Sequence, residues 1–171
     1  MKKITMYITA IIVVLTMLVS TSHAESTNVL EGINLTIAGT GATKTSSPNS
    51  STFGLELGLG KEGTLVLPVE AGIRQSIGYD DSQGSSLLFS TKGYADWTVA
   101  RFGNLELLVG ANLGGIYGNT SLTWVAAPEA VVRLWLKKDV SVYGRTEYGF
   151  NLSDNTKDDT LQYTVGVSVR F

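Results

Sequence analysis

The sequence predicts an all-β protein, an eight-stranded antiparallel up-and-down barrel. Two observations lead to this prediction. Apolar and polar residues alternate with a period of two in about eight stretches, while no window shows a convincing helical period. These stretches are separated alternately by tight, turn-like links and by longer polar connections, which is typical of a barrel with two different rims.

The eight predicted strands follow one another from residue 31 to residue 171. They cover residues 31–43, 52–60, 64–77, 87–99, 105–115, 121–136, 140–150 and 160–171. Their apolar faces are, strand by strand, Ile33, Leu35 and Ile37; Phe53, Leu55, Leu57 and Leu59; Leu65, Leu67, Val69, Ala71 and Ile73; Leu87, Phe89, Ala95, Trp97 and Val99; Leu105, Leu107, Val109, Ala111 and Leu113; Leu122, Trp124, Ala126, Ala130, Val132, Leu134 and Leu136; Val140, Val142, Tyr148 and Phe150; and Leu161, Tyr163, Val165, Val167, Val169 and Phe171.

The connections between these strands are predicted from their composition. Tight links are expected at 61–63, 100–104 and 137–139, and longer polar connections at 44–51, 78–86, 117–120 and 151–159. Pro128 lies inside the sixth strand, where it cannot donate a backbone hydrogen bond. We therefore expect a bulge or a local break at Pro128, and a bulge would reverse the assignment of faces on one side of it.

The first 24 residues have the organisation of a secretory signal peptide. Lys2 and Lys3 precede the apolar segment 8–19, and small residues stand at Ser22 and Ala24. This apolar segment is shorter than the roughly 20 residues that span a bilayer as a helix. We therefore expect cleavage after Ala24, which divides the chain into a signal peptide, 1–24, and one domain, 25–171.

The composition of the mature chain excludes several kinds of function. The only histidine, His23, lies in the signal peptide, and the sequence contains no cysteine. No disulfide, no metal site built on His or Cys and no histidine-dependent catalysis is therefore expected. The mature chain has 11 basic and 15 acidic residues, a formal charge of −4, which argues against a nucleic-acid partner. We expect neither an enzyme nor a bound cofactor.

Three features indicate that the apolar face points outward into lipid. The polar face is rich in small residues that fit a narrow lumen, among them Thr36, Gly72, Asn112 and Ser168. No apolar position within a strand carries a charge, which would cost about 2–4 kcal/mol in the middle of a bilayer. Aromatic residues gather near both predicted rims, Phe53, Phe89, Trp124, Phe150 and Tyr163 at the outer one and Trp97, Phe102 and Phe171 at the inner one. Because strands in hydrocarbon must pair all their backbone groups, the predicted fold is a closed transmembrane β-barrel.

Charged residues fall on the lumen-facing positions of the strands. They are Glu56, Glu70, Asp96, Glu106, Glu129, Glu147, Arg74, Lys92, Arg133, Arg145 and Arg170. Six acids and five bases nearly balance, which favours a salt-bridged plug, because buried charges persist only when they are paired. A polar pore or a proton relay is the alternative interpretation.

Four of these charges are predicted to form one network in the lumen. If the turn at 137–139 sets the register, Glu129 and Arg133 lie within diagonal reach of Arg145 and Glu147 on the next strand. Replacing Arg145 by Met is then expected to lower the thermal unfolding temperature.

The last strand carries a pattern of its own, which reads LQYTVGVSVRF and ends on an aromatic residue. Its alternating apolar residues are Tyr163, Val165, Val167, Val169 and Phe171. This pattern resembles the assembly signal of Gram-negative outer-membrane proteins, in particular the small eight-stranded group typified by OmpX and the transmembrane domain of OmpA. The resemblance implies insertion by the barrel-assembly machinery with periplasmic chaperones, and a location in the cell outer membrane among lipid and lipopolysaccharide.

Taken together, these features predict a monomeric outer-membrane barrel with a structural or surface-interaction role. A small porin-like pore for ions or small solutes is the alternative. Adhesion or binding of a host factor would depend on the four outer connections. These are shorter than the extended outer strands of the adhesive members of the group, and they carry no exposed apolar cluster.

Overall fold

The computed structural model describes residues 32–45, 51–63, 68–80, 86–118, 122–153 and 159–171. The predicted signal peptide, with its cleavage point after Ala24, lies outside the described residues. Within them, no helix is long and apolar enough to cross a membrane.

Eight antiparallel strands form one closed sheet in chain order. They are β1 Ile33–Lys44, β2 Ser51–Glu62, β3 Val69–Asp80, β4 Ser86–Phe102, β5 Leu105–Tyr117, β6 Leu122–Trp135, β7 Val140–Asn151 and β8 Thr160–Arg170. Each strand pairs with the next, and β8 pairs back onto β1 from Asn34↔Arg170 to Lys44↔Thr160. The predicted eight-stranded up-and-down barrel is therefore confirmed.

The register of the strands makes the barrel narrow. When the register of each strand pair is followed once around the barrel, and the β6–β7 register is continued across its two missing pairs, Asn34 leads back to β1 at Lys44, a shift of ten residues. With a rise of ~3.3 Å per residue and a strand spacing of ~4.8 Å, this shift corresponds to a tilt of about 40° and a backbone radius of about 8 Å. Side chains that point inward from eight strands fill an interior of this size.

Side chains alternate between the two faces of the barrel wall as predicted. Along β6, Val125, Ala127 and Val131 are buried in the lumen, whereas Trp124 and Val132 lie exposed on the outside. The exposed large residues are almost all aliphatic or aromatic, and the inward positions are largely polar or small. The barrel is therefore built the opposite way round from a water-soluble one, with its apolar surface outside.

The prediction of a tight link at 61–63 is wrong. Lys61 and Glu62 belong to β2, where they pair with Ala71 and Glu70, and Gly63 still donates its N–H to the carbonyl of Val69 at 2.7 Å. The third strand begins at residue 69 and not at 64, and residues 64–67 lie outside the described part of the chain. The paired part of β2 therefore extends past residue 60, where the predicted second strand ends.

The tight link predicted at 100–104 is shorter than expected. A register shift at Val99 places Thr98 opposite Leu108 and Ala100 opposite Leu107, so the bulge allows β4 to continue pairing to Phe102. Only residues 103 and 104 form the turn. Gly103 has a φ of +59°, a conformation that costs glycine little and other residues more. At the third tight link, the N–H groups of residues 136 and 137 donate to the carbonyl of residue 140 at 2.9 and 3.1 Å, as a turn requires.

Pro128 causes a local break but no bulge. The register of β6 against β7 is the same on both sides, from Ala126↔Phe150 to Glu129↔Glu147, and the two intervening pairs are missing. Pairing with β5 is continuous through Ala111↔Pro128. The faces assigned before and after Pro128 are therefore consistent, because a missing donor interrupts one ladder without adding a residue to the strand.

The links after β2, β4 and β6, the beginning of β1 and the end of β8 lie at one end of the barrel, which we call the turn end. The longer connections lie at the other, which we call the loop end.

Candidate functional site

The lumen holds most of the residues that could carry out chemistry or bind a ligand. Among the described residues, ten charged side chains are buried there, each at most 7% exposed. They are Glu56, Glu70, Arg74, Lys92, Asp96, Glu106, Glu129, Arg133, Arg145 and Glu147. Arg170, the eleventh position predicted, is partly buried at the turn end. Charges buried to this degree are tolerated only when they are paired and hydrogen-bonded, so their partners determine what the lumen can do.

Arg74 lies at the centre of the first group, which we call the central cluster. Its Nη1 donates to both carboxylate oxygens of Glu129 at 2.7 Å, and its Nη2 donates to Asp96 at 2.8 Å. Asn112 adds hydrogen bonds to Glu129 at 2.7 Å and to Glu147 at 3.0 Å. One guanidinium therefore joins side chains from β3, β4 and β6 across the lumen.

Arg145 is the second guanidinium of the central cluster. Its Nη2 donates to Glu56 at 2.7 Å, and its Nε lies 3.5 Å from Glu147 and 3.7 Å from Glu129. Lys92 forms an ion pair with Glu147 as well. The cluster thus contains four carboxylates and three cations, and every strand from β2 to β7 contributes at least one member.

A second group, the turn-end cluster, lies around Glu70. This carboxylate accepts hydrogen bonds from Asn34 at 2.8 Å and Tyr94 at 2.7 Å, and it forms an ion pair with Arg133 at 2.8 Å. Arg133 also lies 3.7 Å from Glu106, which is 3.0 Å from Arg101 at the rim. Arg170 pairs with Glu62 at the turn end. The guanidinium of Arg170 lies 4.1 Å from the ring centre of Trp135.

Tyr94 connects the two clusters. The guanidinium of Arg74 lies 3.5 Å from the centre of its ring, while its hydroxyl donates to Glu70. A cation held over an aromatic face is attracted by the ring quadrupole, and more strongly where water is excluded. The buried charges therefore form one connected set from the turn end to the middle of the barrel.

Little space remains between these side chains. A cavity of about 10 Å³ lies between the two clusters, against Arg74, Tyr94, Arg133 and Arg145. A cavity of this size accommodates about one water molecule. Among the described residues, no group of His, Cys, Asp or Glu is arranged to hold a metal ion.

Solved structures with the same architecture exist. Neisserial surface protein A aligns with a TM-score of 0.65 at 13% sequence identity, over 81% of this chain and 96% of that chain. The N-terminal β-barrel domain of Pseudomonas aeruginosa OprF and the attachment invasion locus protein Ail of Yersinia pestis each align with a TM-score of 0.51 at 16% identity. They cover 82% of this chain and 98% and 99% of their own. The chain has the fold of the small outer-membrane β-barrels. No family model matches the sequence, and no curated protein matches it significantly.

The structure brings together three of the four residues predicted to form one network in the lumen. Glu129, Arg145 and Glu147 belong to the central cluster. Arg133 does not, because its ion pairs are to Glu70 and Glu106 in the turn-end cluster. Alternation along a strand shows that a side chain points into the lumen, but it does not select the partner of that side chain. In a barrel of this radius, an arginine is long enough to meet a carboxylate that extends from a distant strand.

Sequence reasoning missed three members of the site. Tyr94 donates to Glu70, and Asn112 bridges Glu129 and Glu147. Glu62 was assigned to a turn although it pairs with Arg170. Alternation alone places Tyr94 inside, since both of its neighbours in β4 point outward. The signal for the inward position was present, but an aromatic residue in a polar lumen was not expected.

The residues of the predicted assembly signal lie along the seam that closes the barrel. Tyr163, Val165 and Val167 point outward, and Val165 is the most exposed at 71%. Phe171 is 56% exposed, and its backbone pairs with Gly32 and Ile33 of the first strand at 2.8 and 2.9 Å. An alternating apolar surface is thus present on β8 in the folded barrel.

Proposed function

We propose that this protein is an integral outer-membrane barrel whose lumen is closed by paired charges, and that its role is structural or surface-interactive. The observation that carries this proposal is the connected set of ion pairs across the lumen. Its fold and its outward apolar surface support a location in the outer membrane, reached through export with a signal peptide cleaved after Ala24. Mass spectrometry of the mature N-terminus, with Glu25 as the expected first residue, tests the export step.

Closure of the lumen follows from the arrangement of the central cluster. An ion that crossed the barrel would have to displace Arg74 from Glu129 and Asp96, or Arg145 from Glu56, and each displacement would leave buried charges without a partner. The cavity between the two clusters has room for about one water molecule. These contacts favour a plug over the porin-like alternative.

Recordings from planar lipid bilayers containing the purified, refolded barrel test this proposal. The wild type is expected to show no stable unitary conductance. A triple variant, Arg74→Ser with Asp96→Ser and Glu129→Ser, removes Arg74 together with both carboxylates that it pairs with, and it is expected to show conductance steps under the same conditions. Stable unitary conductance of the wild type would support a pore instead.

Location in the outer membrane is tested separately from closure. Folded outer-membrane barrels migrate differently on a gel before and after boiling, so heat-modifiable mobility in the membrane fraction is expected. A soluble protein recovered from periplasmic extract would contradict the proposal.

A further inference from the structure

Two neighbouring turns at the turn end form a basic surface, which we call the basic rim patch. The patch consists of Arg101, Phe102, Leu136, Lys137 and Lys138. The turn after β4 and the turn after β6 are adjacent, because the N–H of Trp135 donates to the carbonyl of Asn104 at 2.8 Å. Residues from two separate hairpins therefore share one part of the rim.

The cations of this patch are accessible. The side chain of Arg101 is 55% exposed, and only its Nε is used in the ion pair with Glu106. Lys137 and Lys138 are exposed, and within the described part of the chain neither forms an ion pair. Asp139 is the exposed carboxylate nearest to them in the sequence. The patch therefore presents three cations beside one acid.

The position of the patch along the barrel axis corresponds to a membrane interface. Val132, Leu134 and Leu136 point outward along the end of β6, and the two lysines follow directly. Phe102, 65% exposed, directly follows Arg101. Long cationic side chains bury their aliphatic stems against apolar surface and extend their charge towards the headgroups. Aromatic residues beside them favour the same level.

The opposite end of the barrel has a different charge. The four connections there, 44–51, 78–86, 117–120 and 151–159, contain five aspartates, residues 80, 81, 154, 158 and 159, and two lysines, Lys44 and Lys157. An anionic lipid surface is therefore repelled at the loop end and attracted at the patch.

We propose that the basic rim patch binds the headgroup phosphates of anionic phospholipids in the leaflet at the turn end. Arg101 offers a planar set of donors that suits phosphate, and Lys137 and Lys138 add point charges. The proposal rests on the membrane location proposed above and adds a preferred lipid class and a binding surface to it.

The experiment compares refolded barrels in bilayers of phosphatidylcholine that contain spin-labelled phosphatidylglycerol or spin-labelled phosphatidylcholine. The measured quantity is the ratio of the two association constants. Each cation near an anionic surface contributes about fivefold, and salt weakens the effect. If salt and distance reduce this factor to about twofold per charge, three cations against Asp139 give the wild type about a fourfold preference for phosphatidylglycerol, and K137Q/K138Q should lose that preference.

A matched variant removes two lysines from the other end. K44Q/K157Q is expected to keep the wild-type preference, and D139N is expected to increase it by about twofold. An unchanged ratio in K137Q/K138Q, or an equal loss in K44Q/K157Q, overturns the proposal.

Heat-modifiable mobility of each sample separates the two proposals. A barrel that inserts but shows no preference for phosphatidylglycerol overturns the patch alone. A wild-type chain that fails to insert overturns the membrane location as well.

Discussion

Replacing Arg145 by Met tests whether the lumen charges act as paired groups. Arg145 is the only cation that forms an ion pair with Glu56 among the described residues, whereas Glu147 keeps Lys92 and Glu129 keeps Arg74. Met has a similar length but no charge, so the substitution leaves the Glu56 carboxylate buried without a cation. Breaking a buried pair in this way costs about 3–5 kcal/mol. We expect the free energy of unfolding to fall by that amount.

The measurement is reversible urea unfolding of the barrel in lipid vesicles, followed by tryptophan fluorescence. Arg101→Met serves as the matched control, because the same substitution at a largely exposed arginine should cost less than about 1 kcal/mol. The double variant Arg145→Met with Glu56→Gln removes the uncompensated charge and should recover at least half of the lost stability. If Arg145→Met costs no more than Arg101→Met, or if the double variant is no more stable than the single one, the assignment of this pair is wrong.

Three further outcomes are expected. Arg133→Met should destabilise the barrel less than Arg145→Met in the same unfolding assay, because Glu70 keeps two hydrogen-bond donors and Glu106 keeps Arg101; an equal or larger loss would contradict this assignment of partners. Phe171→Ser should leave unfolding of the refolded barrel nearly unchanged but reduce the heat-modifiable form in cells, and equal amounts of that form would remove the assembly role. Gly103→Ala should cost about 1 kcal/mol of unfolding free energy because φ is positive there, and no loss would contradict the turn geometry.

The fold was predictable because the two faces of a barrel wall lie in different surroundings. An apolar outer face and a polar, filled lumen require opposite polarity of successive residues, so the period-two pattern determines which side chains point inward. All ten buried charges lie at positions assigned to the lumen by this rule. Even the sixth strand kept its alternation through Pro128, because the break affects hydrogen bonding to β7 and not the number of residues.

The ends of strands and the partners of charges were less predictable, for a different reason. The sequence alone predicts that Glu62 lies in a turn. Its partner Arg170 lies on β8 and comes close only because β8 pairs with β1. The register shift at Val99 also depends on pairing with another strand and leaves no mark in the alternation. Local patterns describe the face of a residue, whereas partners depend on distances across the closed barrel.

The size of the barrel limits where its function can lie. With eight strands and a backbone radius of about 8 Å, opposite walls are close enough for Arg74 to reach Glu129 and for Arg133 to reach Glu70. Such contacts give each of the four buried cations a carboxylate partner, and the same contacts occupy space between the walls. A barrel of this register can therefore hold a stable polar interior or a wide channel, but not both. Interactions with other molecules are consequently expected on its rims and its outer surface, where the side chains remain accessible.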